Sequence, residues 1–353
     1  MVPFRPRPPW LTGRLQTLRA LRWPFTAALT EGHRLWLPLA DGDALAAMLH
    51  FPEGGPRRRP LAVLVHGPTG SEDDPYLREA ARGLLRRGFR VLRLNLRGNA
   101  LSQPRSASHY HLGRSEDLAQ ALAALPEALT GDGVLLAGWS LGGALTLLLL
   151  GREAEMPGLP RLVGGAAICP PLQPELAHAT IDANPVLGRA LLAQYRREVL
   201  AVPARDLSPA LRQAALEAGS VQEFEARVTA PRFGYPSYAV FCEVNRPAAA
   251  LPQLRVPVLL MMAADDPLVP LSSMDGIDWS RCPAVLPLPV AGGGHCGFYD
   301  WRAEALSVRA LGSFFEGLAD QASSGAITPS AVSQAPGESP SASARQAAST
   351  AVA

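Results

Sequence analysis

The chain repeats one pattern three times in succession: a short β-like run, then a longer segment with helical periodicity. Residues 61–65 precede 76–87, residues 90–94 precede 117–129, and residues 134–137 precede 141–150. Runs this short, free of polar residues at 61–65 and 134–137, read as strands buried on both faces, and a helix between consecutive strands makes each connection a parallel crossover. The pattern predicts an α/β fold: a mostly parallel central sheet with helices on both faces. Runs at 161–168, 256–262 and 284–290 extend the sheet, and 301–318 has the length and periodicity of a closing helix. Upstream, 34–39 and 44–51 flank Ala40-Asp41-Gly42-Asp43, whose Asp-Gly step suits a tight reversal. That predicts an antiparallel hairpin at one end of the sheet.

Between Cys169-Pro170-Pro171 and the strand signal at 256 no convincing strand occurs, which predicts a helical cap inserted into one α/β domain. The division reads as an N-terminal arm (1–30), a first core part (31–171), the cap (172–255), a second core part (256–318) and a disordered tail (319–353). The tail is Ala, Ser, Pro, Gly and Gln with almost no large apolar residue, so it cannot offset the entropy of ordering. Elsewhere 353 residues at 48% hydrophobic content supply a sizeable core and exclude global disorder.

Charge and cysteine content exclude more than they identify. A formal charge of +2 provides no long-range field for nucleic acid or an anionic membrane surface. Every basic residue is Arg, which carries no functional weight alone. The stretch 134–150 is broken by glycines, Trp139 and Ser140 and falls short of the ~20 apolar residues of a membrane span. Cys169, Cys242, Cys282 and Cys296 form no CxxC pair and no zinc-finger spacing, so neither a structural metal nor a disulfide framework is expected. The first 25 residues hold five arginines and no acid, but prolines interrupt them and no apolar core of an export signal follows. A protein of the reducing cytoplasm is the reading.

Chemistry enters at Gly138-Trp139-Ser140-Leu141-Gly142. This is G-x-S-x-G with an apolar strand running in and an apolar helix running out, the setting of a nucleophile elbow. A sharp strand-to-helix turn lifts the serine oxygen clear of the sheet, strains the serine backbone and demands small residues two positions to either side. A serine hydroxyl needs a base, and the base needs a group that fixes its tautomer. In α/β-hydrolases the chain order is Ser, acid, His. The strand at 256–262 leads to Ala263-Ala264-Asp265-Asp266-Pro267, and that at 284–290 to Gly292-Gly293-Gly294-His295. Neighbouring side chains in an extended segment diverge, so only one Asp faces the histidine. Asp266 is favoured by resemblance to the common hydrolase version of this loop, where the acid comes just before the residues leading to Val-Pro, as Asp266 precedes Pro267-Leu268-Val269-Pro270, and Asp265 stays open.

Two backbone donors are needed for a tetrahedral intermediate, one after the nucleophile and one in the loop after the third strand. Leu141 supplies the first. In His66-Gly67-Pro68-Thr69-Gly70 the usual position is Pro68, which has no N–H, so Thr69 is the expected substitute. His66 reads as a residue that orders this loop.

With these residues in hand, the chain resembles the YheT-like (AB hydrolase type 4) branch of the α/β-hydrolases. Pro8-Pro9-Trp10-Leu11 with Leu15-Gln16-Thr17 resembles that family's N-terminal arm, and Asp41-Gly42-Asp43 its first hairpin turn. Leu94-Asn95-Leu96-Arg97-Gly98, Tyr110-His111-Leu112-Gly113-Arg114-Ser115-Glu116-Asp117-Leu118, Ala264-Asp265-Asp266-Pro267 and Gly294-His295-Cys296-Gly297-Phe298 follow in order. Two departures stand out: Glu225 after Phe224, where the family tends to show Asp, and Pro68. The resemblance implies an α/β-hydrolase fold and a carboxylic-ester hydrolase without metal or organic cofactor, acting on a small-molecule acyl ester. In that reading Ser140 attacks, His295 carries the proton, Asp266 holds the imidazole and water cleaves an acyl-enzyme. Transfer to an alcohol, or a hydrolase fold kept for binding with its site weakened by Pro68, are the alternatives. Leu187, Leu191, Leu192, Phe224, Phe233, Tyr235, Tyr238 and Phe241 make the cap apolar enough to cover an acyl chain, though any one of them is as readily cap packing.

Overall fold

A computed structural model describes residues 1–24, 27–55, 58–99, 101–201 and 207–323. Most of the tail placed at 319–353 therefore lies outside the described residues. The sheet has eight strands: β1 Gly32–Pro38, β2 Ala44–His50, β3 Leu61–Val65, β4 Val91–Leu94, β5 Val134–Trp139, β6 Leu162–Ile168, β7 Val258–Ala263 and β8 Val285–Val290. Their order is β1-β2-β4-β3-β5-β6-β7-β8. The pairs β1–β2 and β2–β4 are antiparallel, and the rest are parallel, so the hairpin closes one end. Its turn is fixed by charge: buried Arg97 binds Asp41 and Asp43 at 2.6 Å each and holds Asp117 through two bonds of 2.7 and 2.8 Å.

Both faces of the sheet are covered, as the side-chain alternation of single strands demonstrates. Leu61, Val63 and Val65 of β3 join one apolar cluster, while Ala62 and Leu64 join another on the opposite side. Helices α3 (Ser115–Ala123) and α5 (Leu141–Gly151) pack into the first cluster. Helix α2 (Pro75–Arg86) and the closing helix Leu306–Ser323 pack into the second. Each fully buried leucine of these clusters, such as Leu64, contributes about 1.5–3 kcal/mol by leaving water. Helix α1 (Gly13–Arg22) comes from the N-terminal arm.

Two helices differ from the sequence reading. The segment 117–129 is not one helix: α3 ends at Ala123, and a short α4 (Glu127–Thr130) follows Pro126, whose ring disfavours helical geometry in the residue before it. The closing helix starts at Leu306, because Asp300 accepts the Arg302 N–H and pairs with Arg309, a turn that competes with helix. It also passes the boundary set at 319 and runs to Ser323, since Phe314, Phe315, Leu318 and Ala319 are all buried along one face.

Between β6 and β7 the described residues form no strand. They include α6 (Pro174–Asp182), α7 (Pro185–Ala201) and shorter helices, among them a π-turn at Glu225–Thr229. This segment has an apolar cluster of its own around Ile181, Leu192, Val199, Phe224 and Val228.

Candidate active site

Strand β5 runs directly into α5, and Ser140 at the junction has φ 53°, ψ −121°. That region is strained for a residue with a side chain and persists only where the surroundings impose it. Those surroundings are tight. A Cβ on Gly138 would lie 2.1 Å from the Gly142 carbonyl oxygen, and one on Gly142 would lie 2.3 Å from that of Val65. Leu141 opens α5, so its N–H has no acceptor within the helix.

Two of the expected residues meet. His295 Nδ1 lies 2.8 Å from Asp266 Oδ2, with the Asp266 side chain fully buried. The other oxygen of Asp266 accepts the N–H groups of Leu268 at 2.8 Å and Val269 at 3.0 Å, which fixes the carboxylate plane. Asp265 turns the other way and accepts the Gly294 N–H at 2.8 Å. Burial alone would depress the His295 imidazole, but the adjacent Asp266 carboxylate outweighs it and holds the group above its ordinary value. Asp266 thus stabilises positive charge on the ring.

The loop bearing His295 is clamped by the N-terminal arm, a role the sequence reading did not assign. Thr17 accepts the His295 N–H at 2.8 Å and donates to Gly13 O at 2.7 Å. Gln16 donates to Trp10 O and Tyr299 O and accepts the Tyr299 N–H. The approach is close enough that a Cβ on Gly294 would sit 2.1 Å from the Gly13 oxygen. The available signal was the resemblance of Leu15-Gln16-Thr17 to the N-terminal arm of the YheT-like branch, and the structure shows Gln16 and Thr17 buried.

Thr69, the expected second oxyanion donor, is engaged elsewhere. The Thr69 N–H donates to the Tyr110 hydroxyl at 2.7 Å, so in this conformation it is not free for a substrate oxygen. Tyr110 in turn donates to Glu198 of α7 at 2.7 Å, and the Thr69 hydroxyl donates to Gln194 of the same helix at 2.5 Å. These partners come from distant segments, and the sequence offered no sign of them. His66 Nε2 accepts the Leu96 N–H at 3.0 Å inside the fold, and Gly67 donates to the Tyr76 hydroxyl.

Ser140, Leu141, Thr69 and His295 line one cavity of about 340 Å³. Leu187, Leu191, Phe224, Phe233 and Phe241 line it too, whereas Leu192, Tyr235 and Tyr238 do not. Asp74 and Glu225 are the acids among these walls, and burial pushes the Glu225 carboxyl up to about 7. Against His295, the sulfurs of Cys169 and Cys296 and a ring nitrogen lie within 4.8 Å of one another.

The profile described as alpha/beta hydrolase fold matches residues 60–300. The chain belongs to the α/β-hydrolase family. It is similar to a monoacylglycerol lipase of Saccharomyces cerevisiae, at 22% identity over 70% of this chain and 58% of that one. It is also similar to the putative esterase YheT of Escherichia coli, at 27% identity over 74% of this chain and 77% of that one. The acylaminoacyl peptidase of Pyrococcus horikoshii shares the fold, with a TM-score of 0.55 at 15% identity, covering 83% of this chain and 42% of that one. The chain spans 54%, 58% and 62% of the length of the first curated relatives it matches. Among the described residues no helix is long and apolar enough to cross a membrane.

Proposed function

We propose that the protein is a serine esterase of the YheT-like branch that cleaves small acyl esters through Ser140, His295 and Asp266. The observation that carries this reading is the buried 2.8 Å pair of His295 and Asp266 opening on the same cavity as the strained Ser140. Ser140 Oγ adds to the ester carbonyl while His295 takes its proton. Asp266 stabilises the imidazolium that results, in keeping with the raised imidazole. The Leu141 N–H receives the developing oxyanion, and Thr69 joins it once Tyr110 releases the Thr69 amide. His295 returns the proton to the departing alcohol, and a water then cleaves the acyl-enzyme by the same steps. These steps draw on no metal or organic cofactor.

The helical segment 172–255 serves as a cap over the acyl group. Its apolar wall and the cavity volume, near the lower end of the ~300–1,000 Å³ range of small-molecule sites, support short or medium acyl chains. Four free buried thiols support work in a reducing cytoplasm. A panel of nitrophenyl esters graded by acyl length tests the reading: turnover that peaks at short or medium chains and vanishes in Ser140→Ala is expected, and no turnover of any ester by folded protein would refute it. The commitment of Thr69 to Tyr110 favours a second reading, a hydrolase fold retained as a binding protein.

A further inference from the structure

Two of the four cysteines, far apart in sequence, converge on the catalytic histidine. Cys169 follows β6 and is fully buried; Cys296 follows His295 and lines the cavity. Their sulfurs and a ring nitrogen of His295 lie within 4.8 Å of one another. We propose that Cys169, Cys296 and His295 form a site for a thiophilic divalent cation of the Zn²⁺ or Cd²⁺ type, and that its occupation switches the hydrolase off. The switching rests on the serine-esterase reading; the binding does not.

The donor set suits such an ion: two sulfurs and one imidazole are ligands of soft and borderline metals, and hard cations disfavour them. Zinc–sulfur bonds of about 2.3 Å in a tetrahedron place ligand atoms about 3.7 Å apart, so closing from 4.8 Å asks for a movement of roughly an ångström, within reach of side-chain rotation. A metal-bound histidine ordinarily gives its other ring nitrogen to a carboxylate, and Asp266 already occupies that place on Nδ1. The cavity, which Cys296 and His295 line, offers the entry path and the space for a fourth ligand, water. On binding, each thiol gives its proton to solvent as its sulfur bonds the ion, and nothing is oxidised or reduced. The ion then holds the imidazole lone pair. At Nε2 it takes the position that accepts the serine proton; at Nδ1 it displaces Asp266. Either way His295 is lost as a base.

The test titrates reduced, chelator-treated protein with Cd²⁺, following the sulfur-to-cadmium charge-transfer absorption and, in parallel, nitrophenyl ester hydrolysis relative to the metal-free rate of the same protein. The expected result is a band that saturates at one equivalent, inhibition that follows it, and recovery with EDTA. Cys169→Ala and Cys169→Ser should move the midpoint at least about tenfold higher, since even the loss of an outer partner costs 10- to 100-fold in affinity. Cys242→Ser and Cys282→Ser should leave it in place. No band at one equivalent, or Cys169 variants that titrate like the parent, would overturn the site. A normal band with undiminished hydrolysis would overturn the switch. A normal band on protein without esterase activity would uphold the site and remove the esterase reading.

Discussion

Replacing each of the two adjacent aspartates by asparagine separates orientation of the base from support of its loop. In Asp266→Asn the amide oxygen keeps the Leu268 and Val269 N–H bonds, so the loop stays in place. The NH₂ group then faces His295 Nδ1, which must accept, and the ring proton moves to Nε2. That tautomer cannot take a proton from Ser140. The corresponding change in a serine protease triad lowers kcat about 10⁴-fold, equivalent to about 5 kcal/mol of transition-state stabilisation. In Asp265→Asn the Gly294 N–H keeps an oxygen acceptor and loses only charge assistance, about 1 kcal/mol. Measuring kcat/KM on a nitrophenyl ester, with urea midpoints to confirm folding, should give a loss of about 10⁴-fold for Asp266→Asn and less than about tenfold for Asp265→Asn. The opposite ranking would refute the assignment.

Gly138→Ala places a Cβ 2.1 Å and 2.2 Å from the backbone of Gly142, which no side-chain rotation relieves, so a loss above about 3 kcal/mol is expected by thermal melting; a melt within about 2 °C of the parent would contradict it. Tyr110→Phe frees the Thr69 N–H, so kcat should stay within about threefold of the parent or rise, whereas a fall of about 10²-fold would mean that Thr69 is not the missing donor. Glu225 binds a proton in the native state up to about pH 7, while the unfolded chain releases it near 4.5. Its contribution to stability therefore falls as pH rises through that window, by about 3 kcal/mol at most and on the order of 1–2 kcal/mol for a half-buried group. Glu225→Gln should gain on the parent by that amount between pH 5 and pH 8 in urea unfolding, and a pH-independent difference would count against it.

The parallel strands were legible because burial on both faces leaves no alternation to misread: the run 61–65 is strand β3, and 134–137 lies within β5. The elbow was legible because Gly138 and Gly142 answer a steric demand that acts within five residues of chain. The choice between Asp265 and Asp266 rested on resemblance, since the orientation of a side chain leaving a strand depends on the loop opposite it. Thr69 failed as a free donor for a different reason. Its N–H is taken by a phenol held from α7, and no local pattern encodes a contact between residues so far apart in sequence. The boundary at 319 failed because the polar composition beyond it hid one more turn of helix, secured by Leu318 and Ala319 against the sheet.

A fluorophosphonate probe tests the central claim most directly, because it reacts only with a serine whose proton is being withdrawn. Mass spectrometry of the labelled, folded protein should find one adduct on Ser140, absent from Ser140→Ala and strongly slowed in Asp266→Asn. An unlabelled Ser140 in folded protein, or an adduct that persists in Ser140→Ala, would contradict the account.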